Sequence, residues 1–336
     1  MKDLIIKAVA FIRSPVSIPS TFLLALLAAC AFTLTGFLGR WNWLLELTSH
    51  FRVQYAVVLL ICLAYFLITK RRLLAGAALV FAITNIGFIV PWYFPDARSS
   101  NPGRPIAGKL KILLMNVHTE NDRYERTARV IKVVNPDVLA LQEISRRWLS
   151  ALDPVLADFP SQEYVPRWDN FGIGVFSRTP FQDVSVEYHG SAWVPSIVAR
   201  IVVGDQPVTI LCTHPVPPGT PKYSAMRNEQ LDAVAALRDE FGGNLILVGD
   251  LNMSPWSPYF KPFLSGMNLR DTRQGYGIQP SWPAFMPLLW IPLDHCLVSE
   301  NIITLDRRIG RRTGSDHYPV IVELGILEPG RGGDEA

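Results

Sequence analysis

Three stretches, residues 21–38, 53–69 and 73–93, contain no Asp, Glu, Lys or Arg, and each approaches the length that crosses the hydrocarbon core of a bilayer. Three such runs within the first 95 residues leave almost no polar face to meet water, so buried core helices are the poorer account. The first 94 residues therefore read as a membrane anchor of three helices. Asn85, inside the third run, is expected to make a helix-to-helix hydrogen bond rather than mark a transport path, because nothing ionisable shares its depth.

Orientation follows from the flanking basic residues. Lys2, Lys7 and Arg13 precede the first span and Lys70, Arg71 and Arg72 join the second to the third, whereas only Arg40 and Arg52 lie between the first two. This asymmetry predicts a cytoplasmic N-terminus and, after an odd number of spans, an extracytoplasmic remainder. A lipoprotein-like tetrapeptide, Leu27–Cys30, offers the alternative of a cleaved leader. Its leader would be unusually long, and two further spans would still anchor the chain.

Residues 95–107, rich in Pro, Gly, Ser and Arg, read as a linker, and residues 326–336 as a disordered tail. Between them, residues 108–325 carry 21 Lys/Arg and 23 Asp/Glu, against 32 and 29 in the whole chain. A near-neutral domain lacks the basic excess that gripping a nucleic-acid backbone usually needs. Cys212 and Cys296 sit in apolar, strand-like runs with no metal-binding spacing. Buried free thiols are expected there, a disulfide being the alternative.

Within this domain a β-α-β start, at 111–117, 124–134 and 137–142, is followed by strand-like runs at 174–177, 196–203, 208–213, 245–249, 295–298 and 320–324. Helical patterns fill 226–241 and part of 258–265. Many short strands with few helices predict sheet packed on sheet with helices outside.

The chemistry lies where these runs end. Asn116 ends the first, Gln142 and Glu143 end an otherwise apolar second, and Thr213-His214 closes a third. Gly249-Asp250-Leu251-Asn252 follows a fourth, Asp294-His295 opens a fifth, and Ser315-Asp316-His317-Tyr318-Pro319 closes the set. Carboxylate and amide oxygens without a Cys cluster suit Mg²⁺ or Mn²⁺ better than zinc. Each member alone has a plainer account: a turn at Asp250 and Asn252, a helix cap at Glu143, a loop residue at His214, a structural imidazole at His295.

In this order the motifs resemble the endonuclease/exonuclease/phosphatase superfamily, which includes DNase I-like nucleases, neutral sphingomyelinases and inositol-polyphosphate phosphatases. The resemblance spans about residues 108–325. The three-span arrangement resembles a bacterial branch that includes glycopeptide-resistance membrane proteins associated with lipid-linked phosphates. The fold it implies is α/β, a two-sheet sandwich flanked by helices in four layers, preceded here by the all-α anchor. By resemblance, Glu143 is the principal metal ligand with Asn116 and Asp316. Asp250 and Asn252 position or deprotonate the attacking water, His317 polarised by Asp294 contacts the scissile phosphate, and His214 bonds a phosphate oxygen.

Two departures weaken a nuclease reading. His118 stands where the abasic-site nuclease branch carries an Asp, and no phosphate-contacting tyrosine matches near Asn170–Gly172. Two further groups bear on the substrate. Residues 282–292, with Trp282, Phe285, Met286, Leu288, Leu289 and Trp290, are either core or an apolar lip suited to a lipid-linked phosphate at the bilayer surface. Arg307, Arg308, Arg311 and Arg312 either contact anionic groups or form a solvated turn. The reading is a membrane-anchored, metal-dependent phosphoesterase acting on a phosphorylated, lipid-linked substrate. The alternatives are an extracytoplasmic nuclease acting on nucleic acid and a non-catalytic binding domain.

Overall fold

The computed structural model describes residues 17–95 and 103–329. Lys2, Lys7 and Arg13, residues 96–102 of the linker and residues 330–336 lie outside the described residues.

The N-terminal part contains α1 (Ile18–Thr35), a short α2 (Trp43–Thr48), α3 (Arg52–Ile68) and α4 (Arg72–Ile89). The segments Ile18–Leu38, Trp43–Ile68 and Arg72–Tyr93 are each long and apolar enough to cross a membrane. Most of their side chains face outward. Their common core is narrow and uses Ala75, Ala78 and Ala82 of α4 against Leu59, Cys62 and Phe66 of α3, small residues that let helices approach without a hydrophobic drive between them. Asn85 donates to Thr33 Oγ1 at 2.9 Å, the interhelical bond expected of it.

The rest of the chain forms two six-stranded sheets. In chain order the strands are β1 (Ile106–Asn116), β2 (Val138–Gln142), β3 (Ser161–Val165), β4 (Ile173–Ser177), β5 (Asp183–Tyr188), β6 (Pro195–Val203), β7 (Gln206–Thr213), β8 (Leu245–Asp250), β9 (Arg270–Asp271), β10 (Asp294–Val298), β11 (Ile302–Ile309) and β12 (Val320–Leu327). One sheet runs β11-β12-β1-β2-β4-β3 and the other β5-β6-β7-β8-β10-β9. Outside them pack α5 (Tyr124–Val134) and α6 (Arg146–Leu156) on the first sheet, and α7 (Pro221–Ala236) and α8 (Phe260–Met267) on the second.

Alternation of side chains along a strand explains the four layers. Leu110, Ile112 and Leu114 of β1 enter the core between the sheets, while Leu113 and Met115 enter the core beneath α5 and α6. Ile246 and Val248 of β8 likewise face inward, and Leu245 and Leu247 face α7 and α8. Strands buried on both faces must be apolar throughout, which is why their polar endings are informative. β1 pairs parallel with β2, and β7 with β8, so their C-terminal ends share one rim.

Three readings are corrected. Ile326 and Leu327 belong to β12, are buried, and pair with the start of β1, so the ordered fold extends past 325. Ile106 and Ala107 are strand rather than linker. Arg307 and Arg308 lie on β11 rather than in a turn: Arg307 is buried and donates to Thr272 Oγ1 and Gln279 Oε1, and Arg308 pairs with Asp306. Burial of Arg307 satisfies a polar cluster beneath the site instead of presenting charge to a ligand. Cys212 and Cys296 are free and buried, as expected of thiols in apolar strands.

Candidate active site

At the shared rim, two loops and four strand ends converge. Gln142 ties the sheets together: its Nε2 donates to Thr213 O and its Oε1 accepts from Asp250 N, both at 2.9 Å. A buried amide with both ends satisfied fixes β2 against β8. Glu143, next in sequence, has φ of +61°, which turns its carboxylate back over the end of β1. There Asn116 Nδ2 donates to Glu143 Oε1 at 2.7 Å and Thr119 N to Oε2 at 3.2 Å. Ser315 Oγ donates to Asn116 O at 2.8 Å and accepts from His317 N at 3.0 Å, seating the 314–319 loop over the same strand end.

Two adjoining groups result. In the first, His118 Nδ1 stands 3.5 Å from Glu143 Oε2 and 3.5 Å from Asp316 Oδ1. Asp316 Oδ2 also accepts from Trp282 Nε1 at 3.0 Å. In the second, Asp294 opens β10 directly opposite Asp250, and its Oδ2 lies 2.8 Å from His317 Nδ1. His317 Nε2 and His214 Nε2 each stand 3.6 Å from Asp250 Oδ2. Asn252 N donates to Asp250 Oδ1 at 2.9 Å, while the Asn252 side chain donates to Pro215 O. Glu143, Asn116, Asp316, Asp250, Asn252, Asp294, His214 and His317 thus occupy one rim.

The electrostatics follow from this geometry. Burial would lower the affinity of His317 for its proton, but Asp294 and Asp250 outweigh it and raise the pKa to about 10. His214 is raised in the same sense, its burial overcome by the bond to Asp250. Burial would raise Glu143, yet His118, His214 and Asn116 hold it at about 2. The rim therefore presents carboxylates beside the His317 imidazolium and a second imidazole, His214, whose proton affinity is raised, a charge pattern that suits a phosphoryl group and its nucleophile.

Which of these residues fit a metal ion can be decided from their partners. Asp250, Asp294 and His317 have ligand atoms within 4.8 Å of one another, but His317 Nδ1 is already bonded to Asp294 and its charge is already matched. Glu143 and Asp316 instead aim separate carboxylates at one point, now marked by the His118 imidazole that touches both. Two converging carboxylates with the Asn116 amide beside them fit a hard divalent cation.

His118 was legible only as a departure from a pattern, and its place between two carboxylates requires the left-handed turn at φ +58°. Arg311 and Arg312 are exposed in the loop that follows β11 and make no side-chain hydrogen bond to the rim among the described residues. Trp282 touches Asp316. The following residues divide the apolar segment: Ile291 is buried, whereas Phe285, Met286, Leu288 and Leu289 are exposed, Leu288 at 82 %.

The anchor reaches the rim as well. Glu46 of α2 pairs with Arg227 of α7 through both carboxylate oxygens at 2.8 Å, and accepts from Ser257 Oγ at 2.7 Å. Arg227 Nη1 donates to Asn252 O at 3.1 Å. His50 Nδ1 lies 2.8 Å from Ser254 Oγ, and Gln54 Nε2 donates to Trp290 O at 2.9 Å. The loop following Asp250 is thus held by residues of the N-terminal helices.

Comparison with known proteins agrees with this architecture. Comparison with curated proteins returned no match. Among solved structures, a humanized D. rerio TDP2 carrying 14 mutations aligns over 65% of this chain and 99% of its own at 16% identity, with a TM-score of 0.54. The 3'-5' exonuclease NExo from Neisseria meningitidis aligns over 64% and 100% at 22% identity, with a TM-score of 0.54. An endonuclease/exonuclease/phosphatase from Beutenbergia cavernae aligns over 66% and 72% at 20% identity, with a TM-score of 0.52. At such identities the likeness establishes the DNase I-like fold. The model of the Endonuclease/Exonuclease/phosphatase family matches residues 113–317, from the middle of β1 to His317. With that span matched and both carboxylate-imidazole groups at its rim, the chain belongs to the Endonuclease/Exonuclease/phosphatase family of metal-dependent phosphoester hydrolases.

Proposed function

We propose that this protein hydrolyses a phosphate ester or pyrophosphate of a lipid-linked substrate at the outer face of the cytoplasmic membrane. The observation that carries the lipid assignment is the segment 282–290, which joins the catalytic rim to the anchor. Trp282 bonds Asp316 at one end and Trp290 bonds Gln54 of α3 at the other. Between them Phe285, Met286, Leu288 and Leu289 stand exposed. Exposed apolar side chains between a phosphoryl site and a membrane-spanning helix match a substrate whose phosphate is attached to a greasy tail. The basic turn Lys70–Arg72, at the end of α3 remote from the catalytic domain, supports a cytoplasmic face there and an outer position for the rim.

In the proposed reaction Glu143, Asp316 and Asn116 would hold Mg²⁺ or Mn²⁺, which when bound offsets negative charge on the phosphoryl oxygens. Asp250, oriented by Asn252 N and flanked by two imidazoles, takes a proton from water as the water oxygen bonds to phosphorus. The bond from phosphorus to the leaving oxygen breaks in line; from a pyrophosphate the lipid phosphate leaves without needing a proton, and from an ester the leaving alkoxide takes a proton from water. His317, held as imidazolium by Asp294, and His214 donate to the phosphoryl oxygens as charge builds there. Arg311 and Arg312, exposed at the base of the 314–319 loop, are placed to meet a second phosphate.

A nuclease reading has one observation in its favour. Related folds include D. rerio TDP2 complexed with single-strand DNA product and a NExo bound to a product DNA hairpin. The full chain in lipid nanodiscs with Mg²⁺, assayed against a polyprenyl pyrophosphate, a phospholipid diester and DNA, separates the two. Turnover of a lipid-linked substrate that Asp250→Ala abolishes supports the proposal; DNA cleavage without lipid turnover replaces it with the nuclease. No turnover of any substrate favours a binding domain.

A further inference from the structure

Arg52, the first residue of α3, is 2 % exposed. Its guanidinium lies between two aromatic rings, 4.7 Å from the centroid of Phe37 and 4.8 Å from that of Phe88. Nη1 donates to Thr33 O at 3.2 Å and to Asn85 Oδ1 at 3.4 Å. Nε, buried, has no hydrogen-bond partner, and Nη2 has none among the described residues. No carboxylate of the described residues lies within 4.0 Å of this cation. The Nε/Nη2 edge is the one with which arginine grips two oxygens of a phosphate or carboxylate, and a buried cation lacking a counter-charge is costly.

That residue lines a cavity of about 910 Å³ between the anchor and the catalytic domain. Phe37, Phe88 and Trp92 form its anchor wall, and Trp256 and Lys261 belong to its domain wall. Asp271, a carboxylate in the wall, is paired with Arg273 at 3.3 Å. None of Glu143, Asp250, Asp294 and His317 lines this space, so it is separate from the catalytic rim. Its wall continues into spans whose outer faces are apolar, Phe37 being half exposed.

We propose that this cavity binds an anionic phospholipid, its phosphate on the Nε/Nη2 edge of Arg52, its headgroup near Lys261, and its chains along the outer faces of α1 and α4. A lipid is favoured over a free anion because one wall, with Phe37, Arg52, Phe88 and Trp92, belongs to segments long and apolar enough to span a membrane. An anionic headgroup is favoured over a zwitterionic one because three basic residues, Arg52, Lys261 and Arg270, line the space while its acid, Asp271, is already paired with Arg273. The proposal does not depend on the catalytic reading, and its test reads binding alone.

Native mass spectrometry of the full chain, released from nanodiscs containing phosphatidylglycerol and phosphatidylcholine, measures the lipid retained. Wild type and His317→Ala should both retain phosphatidylglycerol preferentially. Lys261→Glu, an exposed change, should weaken that retention by roughly fivefold or more, and Arg52→Gln should abolish the preference. Thermal unfolding in detergent checks that Arg52→Gln is folded, and Lys261→Glu carries the test if it is not. Equal retention of the two lipids, or retention indifferent to Lys261→Glu in a folded protein, overturns the proposal. Loss of phosphatidylglycerol from His317→Ala would place the lipid in the catalytic rim and also overturn it. Binding of inorganic phosphate to lipid-depleted protein without retention of either lipid would make this a free-anion site instead.

Discussion

Glu46 in the N-terminal helices and Arg227 in the catalytic domain form an ion pair from which solvent is fully excluded, and the same guanidinium holds the carbonyl of Asn252. The pair therefore couples the apolar N-terminal helices to the loop carrying Asp250 and Asn252. Glu46→Gln would leave Arg227 buried without its counter-charge, a change expected to cost about 3–5 kcal/mol. Thermal unfolding of the full chain checks the loss. Replacing both residues by apolar side chains should recover most of that stability but not turnover, because Asn252 O would lose its donor.

In the proposed reaction the charge on His317 should set the alkaline limit of activity. Burial disfavours the imidazolium, but Asp294 and Asp250 raise its pKa to about 10, above the usual value near 6.5 for an unfolded histidine. The stabilisation is therefore fully present below about pH 6.5 and is lost as the pH rises through about 10. Turnover by wild type should persist into the alkaline range, and Asp294→Asn should move its alkaline fall to lower pH. A pH–rate profile of both proteins measures the displacement.

In the proposed reaction Glu143 is the carboxylate on which cation binding most depends, since Asn116, Thr119 and His118 all orient it. Chelation of divalent ions should stop turnover, and Mg²⁺ or Mn²⁺ should restore it. Glu143→Gln should weaken cation affinity by on the order of a hundredfold, as read by calorimetric titration of Mn²⁺. Unchanged affinity would remove Glu143 from the ligand set.

The exposed side chains of the 282–290 segment should act on the tail of the substrate and not on its phosphate. Leu288→Glu is expected to raise KM for a long-chain lipid phosphate about tenfold, burial of a leucine side chain being worth about 1.5–3 kcal/mol. The kcat for a short, soluble phosphate ester should be unchanged. Equal loss with both substrates would assign Leu288 a structural role.

Much of this molecule can be read from its chain because β2, β8 and the C-terminal parts of β1 and β7 are buried on both faces. Each must stay apolar until it leaves the sheets, so Asn116, Gln142-Glu143, Thr213-His214 and Asp250 stand out at their ends. Edge strands give no such contrast. β3 and β5 carry Glu163, Glu187 and partly exposed neighbours, and Arg307 and Arg308 disguise β11 as a charged turn. Nor could spacing reveal partners such as Glu46 and Arg227, 181 positions apart, each of which reads as an ordinary surface charge. The position of His118 depends on a single left-handed residue, and the burial of Arg307 on a cluster with Thr272 and Gln279 that exists only once the second sheet has formed.

The central claim is that Asp250, between His214 and His317, activates water for attack on a phosphoryl group. It is tested most directly by phosphate release from a polyprenyl pyrophosphate, with Mg²⁺, by the full chain and by Asp250→Asn with unaltered thermal unfolding. A fall in kcat of about 10²–10⁴-fold is predicted for loss of a general base. Wild-type rates in the folded variant would contradict the account.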